Sequence, residues 1–346
     1  SRLSFSSLCQ TKAIMKRTFY CLKNAMSNIF TLNRINFFIL VLLTLLSITV
    51  GVADFHWSQF FSQPDQMQVL LISRLPRTFA VILVGATLGV AGMVLQIVLK
   101  NRFIEPGMIG ASQSAALGIL LTSLLFPSAA LLLKMSFATV SALIGMGIFT
   151  LLLQQLPPHQ RLMVPLVGIV FGNIIEAMTT FLAYETDSLQ TLSIWFSGDF
   201  SGILAGRYEL LWLTAALAVV VYIMADRLSI TGLGKNISTG LGINYRQMTW
   251  FALIVVAMIT AVVVVTVGQI PFIGLVVPNI ISRLAGDRLR QNLPSVVLLG
   301  ANLVLICDII GRVINAPYEV PISTIFGIVG TLIFLYLLFK GKANAK

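Results

Sequence analysis

The sequence predicts an all-α polytopic membrane protein of about ten transmembrane helices, and three observations predict it. Of its 346 residues, 57% are hydrophobic and only 10% are charged, against about 25% charged in an ordinary soluble domain. Mean hydropathy is +0.94. Apolar runs recur from residue 37 to residue 339, with no interruption long enough to fold as a soluble domain. A chain of this length cannot hide that apolar excess in one water-excluded core, so its solvent is lipid. Residues 1–36 read as a basic tail without a secretory signal, residues 37–340 as one transmembrane domain, and residues 341–346 as a second short tail.

Taken in order, a hydropathy window of about 19 residues places spans near 37–53, 79–99, 111–126, 130–153, 162–184, 208–225, 249–267, 270–285, 295–311 and 322–339. Spans 111–126 and 270–285 are short for a crossing, which takes about 20 residues. Gly or Pro lies at or near their ends. That combination predicts broken or partly re-entrant helices lining a protein interior, where freed backbone groups find partners.

Charge orients the bundle. An even number of spans puts both termini on one side, and that side collects 18 of the 23 lysines and arginines. They lie in the N-terminal tail, at Lys100 and Arg102, at Arg161, in the loop 226–248, at Arg283, Arg288 and Arg290, and in the C-terminal tail. The other side keeps Arg74, Arg77, Lys134, Arg207 and Arg312. Both termini are therefore cytoplasmic. The formal charge of +11 is a record of topology, and no nucleic-acid partner is expected.

Glu176 is the one ionisable residue clearly inside a predicted span. An intramembrane carboxylate is costly and is a functional candidate by default, although hydrogen bonding to a neighbouring helix accounts for it equally simply. Asp308, near the outer end of its span, is expected to pair with Arg312, four residues on along one helix face. Gly85, Gly89 and Gly92, and Gly168 with Gly172, have the small-residue spacing that brings membrane helices close. Cys9, Cys21 and Cys307 match no metal spacing. His56 and His159 sit in separate loops, so no metal site is expected.

Three stretches go beyond generic membrane chemistry. In the first, residues 74–78, Arg74 and Arg77 are three apart and share a helix face, with Pro76 in a first turn. Interfacial anchoring is the plain reading, but arginine on the outer side runs against the charge bias. A carboxylate-bearing partner would account for it. In the second, Asn101, Glu105, Pro106, Gly107 and Gly110 form a sharp turn that opens into a run of small polar residues. In the third, Pro271, Gly274 and Pro278 break a helix between Gly268 and Asn279.

These stretches, followed by Pro317-Tyr318-Glu319-Val320-Pro321, occur in the same order in a known family. The chain resembles the permeases of the iron-siderophore/cobalamin/haem family of binding-protein-dependent ABC importers, over roughly residues 37–340. The resemblance implies the type II ABC importer permease fold in the bacterial inner membrane. It implies two permease subunits, identical or paralogous, around one translocation path. Two cytoplasmic ATPases carrying ATP and Mg, and a periplasmic binding protein, complete the assembly. The cargo it implies is a ferric siderophore, with cobalamin or haem as the alternative.

Carried over by matching residues, Arg74, Arg77 and Arg312 are expected to dock the binding protein. Ser238, Thr239, Gly240, Leu241, Gly242 and Ile243 are expected in short helices seated on the ATPase, with Leu241 and Ile243 as apolar knobs. A flexible glycine-rich linker is the alternative there. The second and third stretches are expected to border the translocation path. Where the family often has His after the second proline of the third stretch, this chain has Asn279.

No Gly-x-x-x-x-Gly-Lys-[Ser/Thr] occurs, so ATP hydrolysis is expected of another polypeptide and no cofactor is expected on this one. An ion-coupled secondary transporter would place several ionisable groups at the midplane, and Glu176 stands alone in that reading. A membrane enzyme would need clustered His, Asp or Glu at one membrane face, and none is apparent.

Overall fold

The computed structural model describes residues 30–50, 64–155, 163–206, 208–286, 288–316 and 318–343. The sequence features at Cys9, Cys21, His56, His159, Arg161, Arg207 and Pro317 lie outside them. The helices are α1 Phe30–Thr49, α2 Pro64–Val69, α3 Leu75–Val98, α4 Ala111–Leu125, α5 Leu131–Gln154, α6 Val164–Glu185, α7 Leu189–Phe196, α8 Leu211–Leu233, α9 Lys235–Gly240, α10 Tyr245–Thr266, α11 Ile273–Ala285, α12 Leu289–Val313 and α13 Ile322–Ala343. Among the described residues, eight helical stretches are long and apolar enough to cross a membrane, and α4 and α11 are shorter apolar helices. That makes the ten spans the sequence predicts.

Several boundaries move. α1 starts at Phe30, inside the predicted tail. α8 runs on to Leu233, because the Asp226/Arg227 pair ends an apolar run without ending a helix. α12 begins at Leu289 and carries Pro294 in its interior. The largest change is at the outer end of the second span. α2 and α3 are joined through a single π-helical turn, Leu70–Arg74, into one apolar stretch from Met67 to Val98. Arg74, Arg77 and Pro76 thus lie within the helix and not before it. Charge closes a hydropathy window, but partners found elsewhere in the fold neutralise that charge.

α3 is the axis of the subunit. Its best apolar window is 89% buried, against 11% for α1 and 17% for α13. It packs on α8, α10, α11 and α12. The glycine spacing explains how: a β-carbon on Gly85 would overlap the Gly300 carbonyl of α12, and one on Gly92 would overlap the backbone of Gly274 in α11. Gly168 of α6 does the same work against the Met108 carbonyl, whereas Gly172 only faces the Gln113 side chain at 3.4 Å, an ordinary contact. Close backbone approach of this kind replaces the hydrophobic drive that lipid cannot supply.

Candidate functional site

The two proline-glycine stretches are one structure. Residues 99–110 run from the cytoplasmic end of α3 along α11 and end in a short 3-10 helix, Pro106–Ile109. Gly110, in the left-handed region at φ +75°, turns the chain into α4. Asn101 folds the start by accepting the Phe103 N–H at 2.9 Å. Gln96 of α3 donates to Ile104 O at 3.3 Å and Gly274 O at 3.2 Å, so one amide ties both stretches to the axis helix. Asn279 donates to Arg102 O at 2.7 Å and to Leu275 O at 2.7 Å. The Asn279 amide therefore serves as the tie between α11 and the segment that follows α3.

Glu105 completes the join. Its side chain is buried and accepts the backbone N–H groups of Phe272 and Leu275. Both lie at the start of α11, where Leu275 N–H is shared with Phe272 O at 3.2 Å and first-turn N–H groups lack full intrahelical partners. Phe272 itself sits at φ +66°, a conformation a bulky side chain adopts only under constraint. Glu105, Pro106, Gly107, Pro271, Gly274 and Pro278 are thus brought together, with Asn101 and Gly110 as the hinges of the segment. Gly274 is obligatory here, because Pro106 Cδ would stand 2.8 Å from a β-carbon at that position.

Glu176 is therefore not the only ionisable group within the bundle, and the expectation that it stood alone is corrected. Glu105 is buried on the re-entrant segment, and Arg74, Arg77, Asp308 and Arg312 lie within apolar helices. Glu176 is half-buried on α6, whose apolar window is only 22% buried. On the same helix Asn173 and Thr180 are exposed. With Glu176 they make a polar stripe at i, i+3 and i+7.

The three outer arginines form a buried cluster. Arg74 is 5% and Arg312 4% exposed. Asp308 of α12 accepts Arg77 Nη2 at 2.8 Å through Oδ1 and Arg312 Nη2 through Oδ2, which includes the i,i+4 pair expected from the sequence. Arg77 Nη1 reaches Glu319 at 2.7 Å. Arg312 also donates to Ser47 O and Val50 O, each at 2.8 Å, and to Ser47 Oγ at 2.6 Å. Arg74 donates to Val50 O as well. The cluster ties the outer ends of α1, α3 and α12 to the segment before α13. The free exposure expected of docking cations is absent here, because the chain's own carboxylates and carbonyls engage them. Glu319 went unassigned beside Arg77, for nothing local links residues 242 apart.

On the cytoplasmic side α8 and α10 are joined by α9. Ser238 is buried, with Oγ donating to Gly234 O at 2.7 Å and Ile230 O at 2.9 Å. Ile243 N–H returns to Ser238 O at 2.9 Å, and Asn244 caps α10 by accepting the Gln247 N–H at 3.2 Å. These ties make a built element of the loop. Thr239, Gly240 and Gly242 are exposed, Leu241 is 61% exposed, and Ile243 is half-buried. The second exposed apolar side chain is Ile237, four residues before Leu241. Sequence reading missed it among polar neighbours.

The FecCD transport family matches residues 39–340. The petrobactin import system permease protein YclN of Bacillus subtilis (strain 168) is 41% identical over 310 residues, covering 89% of this chain and 98% of that protein. The ferric-anguibactin transport system permease protein FatD of Vibrio anguillarum is 37% identical over 297 residues, covering 85% and 94%. A metal-chelate type ABC transporter solved in an inward-facing conformation superposes with a TM-score of 0.75 at 24% identity, covering 89% of this chain and 99% of that one, and shows the shared fold. A match from end to end of the transmembrane domain, on this helix order, makes the chain a member of the FecCD transport family, the multi-pass permeases of bacterial ABC importers for iron-siderophores and vitamin B12.

Proposed function

We propose that this permease carries a ferric siderophore across the bacterial inner membrane, driven by ATP and Mg on two partner ATPases and supplied by a periplasmic binding protein. The observation that carries the cargo assignment is the 41% and 37% identity to permeases named for petrobactin and ferric-anguibactin import. Ile237 and Leu241, exposed on an element otherwise tied down, are the apolar contact offered to the ATPase. A second permease, identical or paralogous, seats against α6. A stripe of Asn173, Glu176 and Thr180 is too polar for lipid and fits a face shared between two subunits or bordering their common path. The joined segments 101–110 and 271–278 brace that path from inside each subunit. The binding protein meets the outer ends of α3 and α12, where three arginines outnumber Asp308 and Glu319 by one charge.

The test is uptake by the full assembly in liposomes with no ion gradient. Labelled ferric siderophore should enter only with ATP, and cobalamin or haem should not compete. Glu176→Gln should keep substantial uptake, since no coupling ion depends on it. Gradient-driven uptake without ATP that vanishes in Glu176→Gln would identify a secondary transporter instead. ATP-driven uptake of cobalamin or haem, in place of the siderophore, would keep the importer and replace its cargo.

A further inference from the structure

Between α3, α8 and α12 lies a groove of about 370 Å³. Ala86 of α3 and Ala215 and Ala218 of α8 leave it open by their small size, and Pro294 of α12 lines it opposite. Apart from the Tyr222 phenol at its rim, the lining carries one hydroxyl, Thr87, which is already donated to Leu83 O at 2.7 Å. Water needs two to four polar partners to occupy a cavity, and this wall does not supply them. The stretch of α3 from Ile82 to Val90 gives the groove a length of about 12 Å. Val219 and Tyr222 on its rim are exposed on the outer surface of the bundle, where the surrounding solvent is acyl chain.

The cytoplasmic end of the groove changes character abruptly. Tyr222 lines it, and the Arg290 guanidinium stands over that ring, 5.8 Å from its centroid. Asp226 engages Arg290 through Nη1, which leaves further donors of the five on the guanidinium. Arg290 is exposed, as are Arg227 and Arg288 nearby in sequence. An apolar bore that ends at an exposed guanidinium with donors beyond its one ion pair, on the cytoplasmic side, has the polarity of an anionic phospholipid in the inner leaflet.

We propose that this groove is a phospholipid site: one acyl chain lies between α3, α8 and α12 along Ala86, Ala215 and Ala218, and the anionic headgroup is held at Arg290. A protein partner is the poorer occupant. The polar stripe on α6 is the face that calls for one, whereas this groove offers only Tyr222, its Thr87 hydroxyl being spent on Leu83 O, to register a helix.

The experiment uses the full-length permease in phosphatidylcholine nanodiscs, titrated with phosphatidylglycerol and read by native mass spectrometry. Wild type should retain one more tightly held lipid than Ala218→Phe or Ala215→Leu, either of which fills the bore. Ile144→Phe, on an exposed face of α5 away from the groove, should retain the wild-type number. Arg290→Gln should keep the bound lipid but lose about fivefold of the preference for phosphatidylglycerol, as removal of one basic contact predicts. Equal lipid retention by wild type and both groove variants would overturn the site. So would unchanged lipid with an altered oligomeric state, which would make the groove a subunit interface. Unchanged headgroup preference in Arg290→Gln would overturn the role of the arginine.

Discussion

Gly92 of α3 and Gly274 of α11 meet backbone to backbone, so closely that a β-carbon on Gly92 would overlap the Gly274 carbonyl oxygen. Gln96, four residues further along α3, donates to that same oxygen at 3.2 Å. The contact therefore fixes α11 against the axis helix, and the segment carrying Glu105 and Pro106 is fixed in turn by α11. Nothing soft is available to give way, because the opposing atoms are main chain.

A graded response follows at the glycines of α3. Gly92→Ala should destabilise by about 1–3 kcal/mol through forced backbone shifts and reduce uptake with it. Gly89→Ala should be milder, since a β-carbon there first meets Val296 Cγ1 at 3.1 Å, and a side chain can yield. Thermal unfolding of the two purified variants checks the order. Equal losses at both positions would show that the Gly92–Gly274 approach is not the limiting contact.

Asp308 should be the most sensitive carboxylate in the outer cluster. It is 3% exposed and holds Arg77 and Arg312 together. Asp308→Asn would leave two buried guanidiniums facing a neutral amide, and breaking a buried pair typically costs about 3–5 kcal/mol. Glu319, with 18% of its side chain exposed and one arginine to serve, should cost less when changed to Gln. The melting temperature should fall further for Asp308→Asn than for Glu319→Gln, and the reverse order would refute the central place given to Asp308.

What was legible in the sequence follows the range of the interaction. The ten spans were legible because hydropathy is a local sum, and the Asp308–Arg312 pair because it is four residues long. That α4 and α11 are short was legible, but α11 runs unbroken through Gly274 and Pro278, which were expected to break it. The outward run of α3 through Arg74 and Arg77 was not legible, because the carboxylates that neutralise Arg77 lie more than 200 residues away and Arg74 is held by a carbonyl at the end of another helix. Glu105 read as part of a turn, since its donors, Phe272 and Leu275, belong to a helix far along the chain. Ile237 was passed over for a different reason. Its exposure depends on Ser238 turning inward to Ile230 O and Gly234 O, which no spacing rule reports.

The cytoplasmic element offers a separation of folding from partnership. Ile237 and Leu241 are exposed, and substitutions at such positions usually move stability by no more than about 0.5 kcal/mol. Ile237→Asp and Leu241→Asp should therefore insert and melt like wild type yet lose the ATPase on purification, because a charge has entered an apolar contact. Ser238→Ala should act differently, loosening the element itself and lowering stability. Wild-type ATPase stoichiometry in both Asp variants would remove residues 237–241 from the interface.

The outer cluster yields the sharpest functional test, since its arginines are both buried and in excess. If the binding protein presents carboxylates here, each must compete with Glu319 for Arg77, whose side chain is 12% exposed. Glu319→Gln removes the competitor and leaves Arg77 tied to Asp308 alone, adding one net positive charge at the outer rim. Association with the loaded binding protein should then be faster than wild type at low salt. The advantage should shrink as ionic strength rises, because steering by exposed charge is screened within a Debye length of about 10 Å at 0.1 M. Arg77→Gln should reverse the effect, while Arg74→Gln, at 5% exposure more buried and bonded to Val50 O, should mainly lower stability. Stopped-flow association at several salt concentrations, on variants first matched for melting temperature, separates the two roles. An association rate indifferent to both Glu319→Gln and Arg77→Gln would leave the cluster as a clasp between α1, α3 and α12 and move the docking surface elsewhere on the outer face.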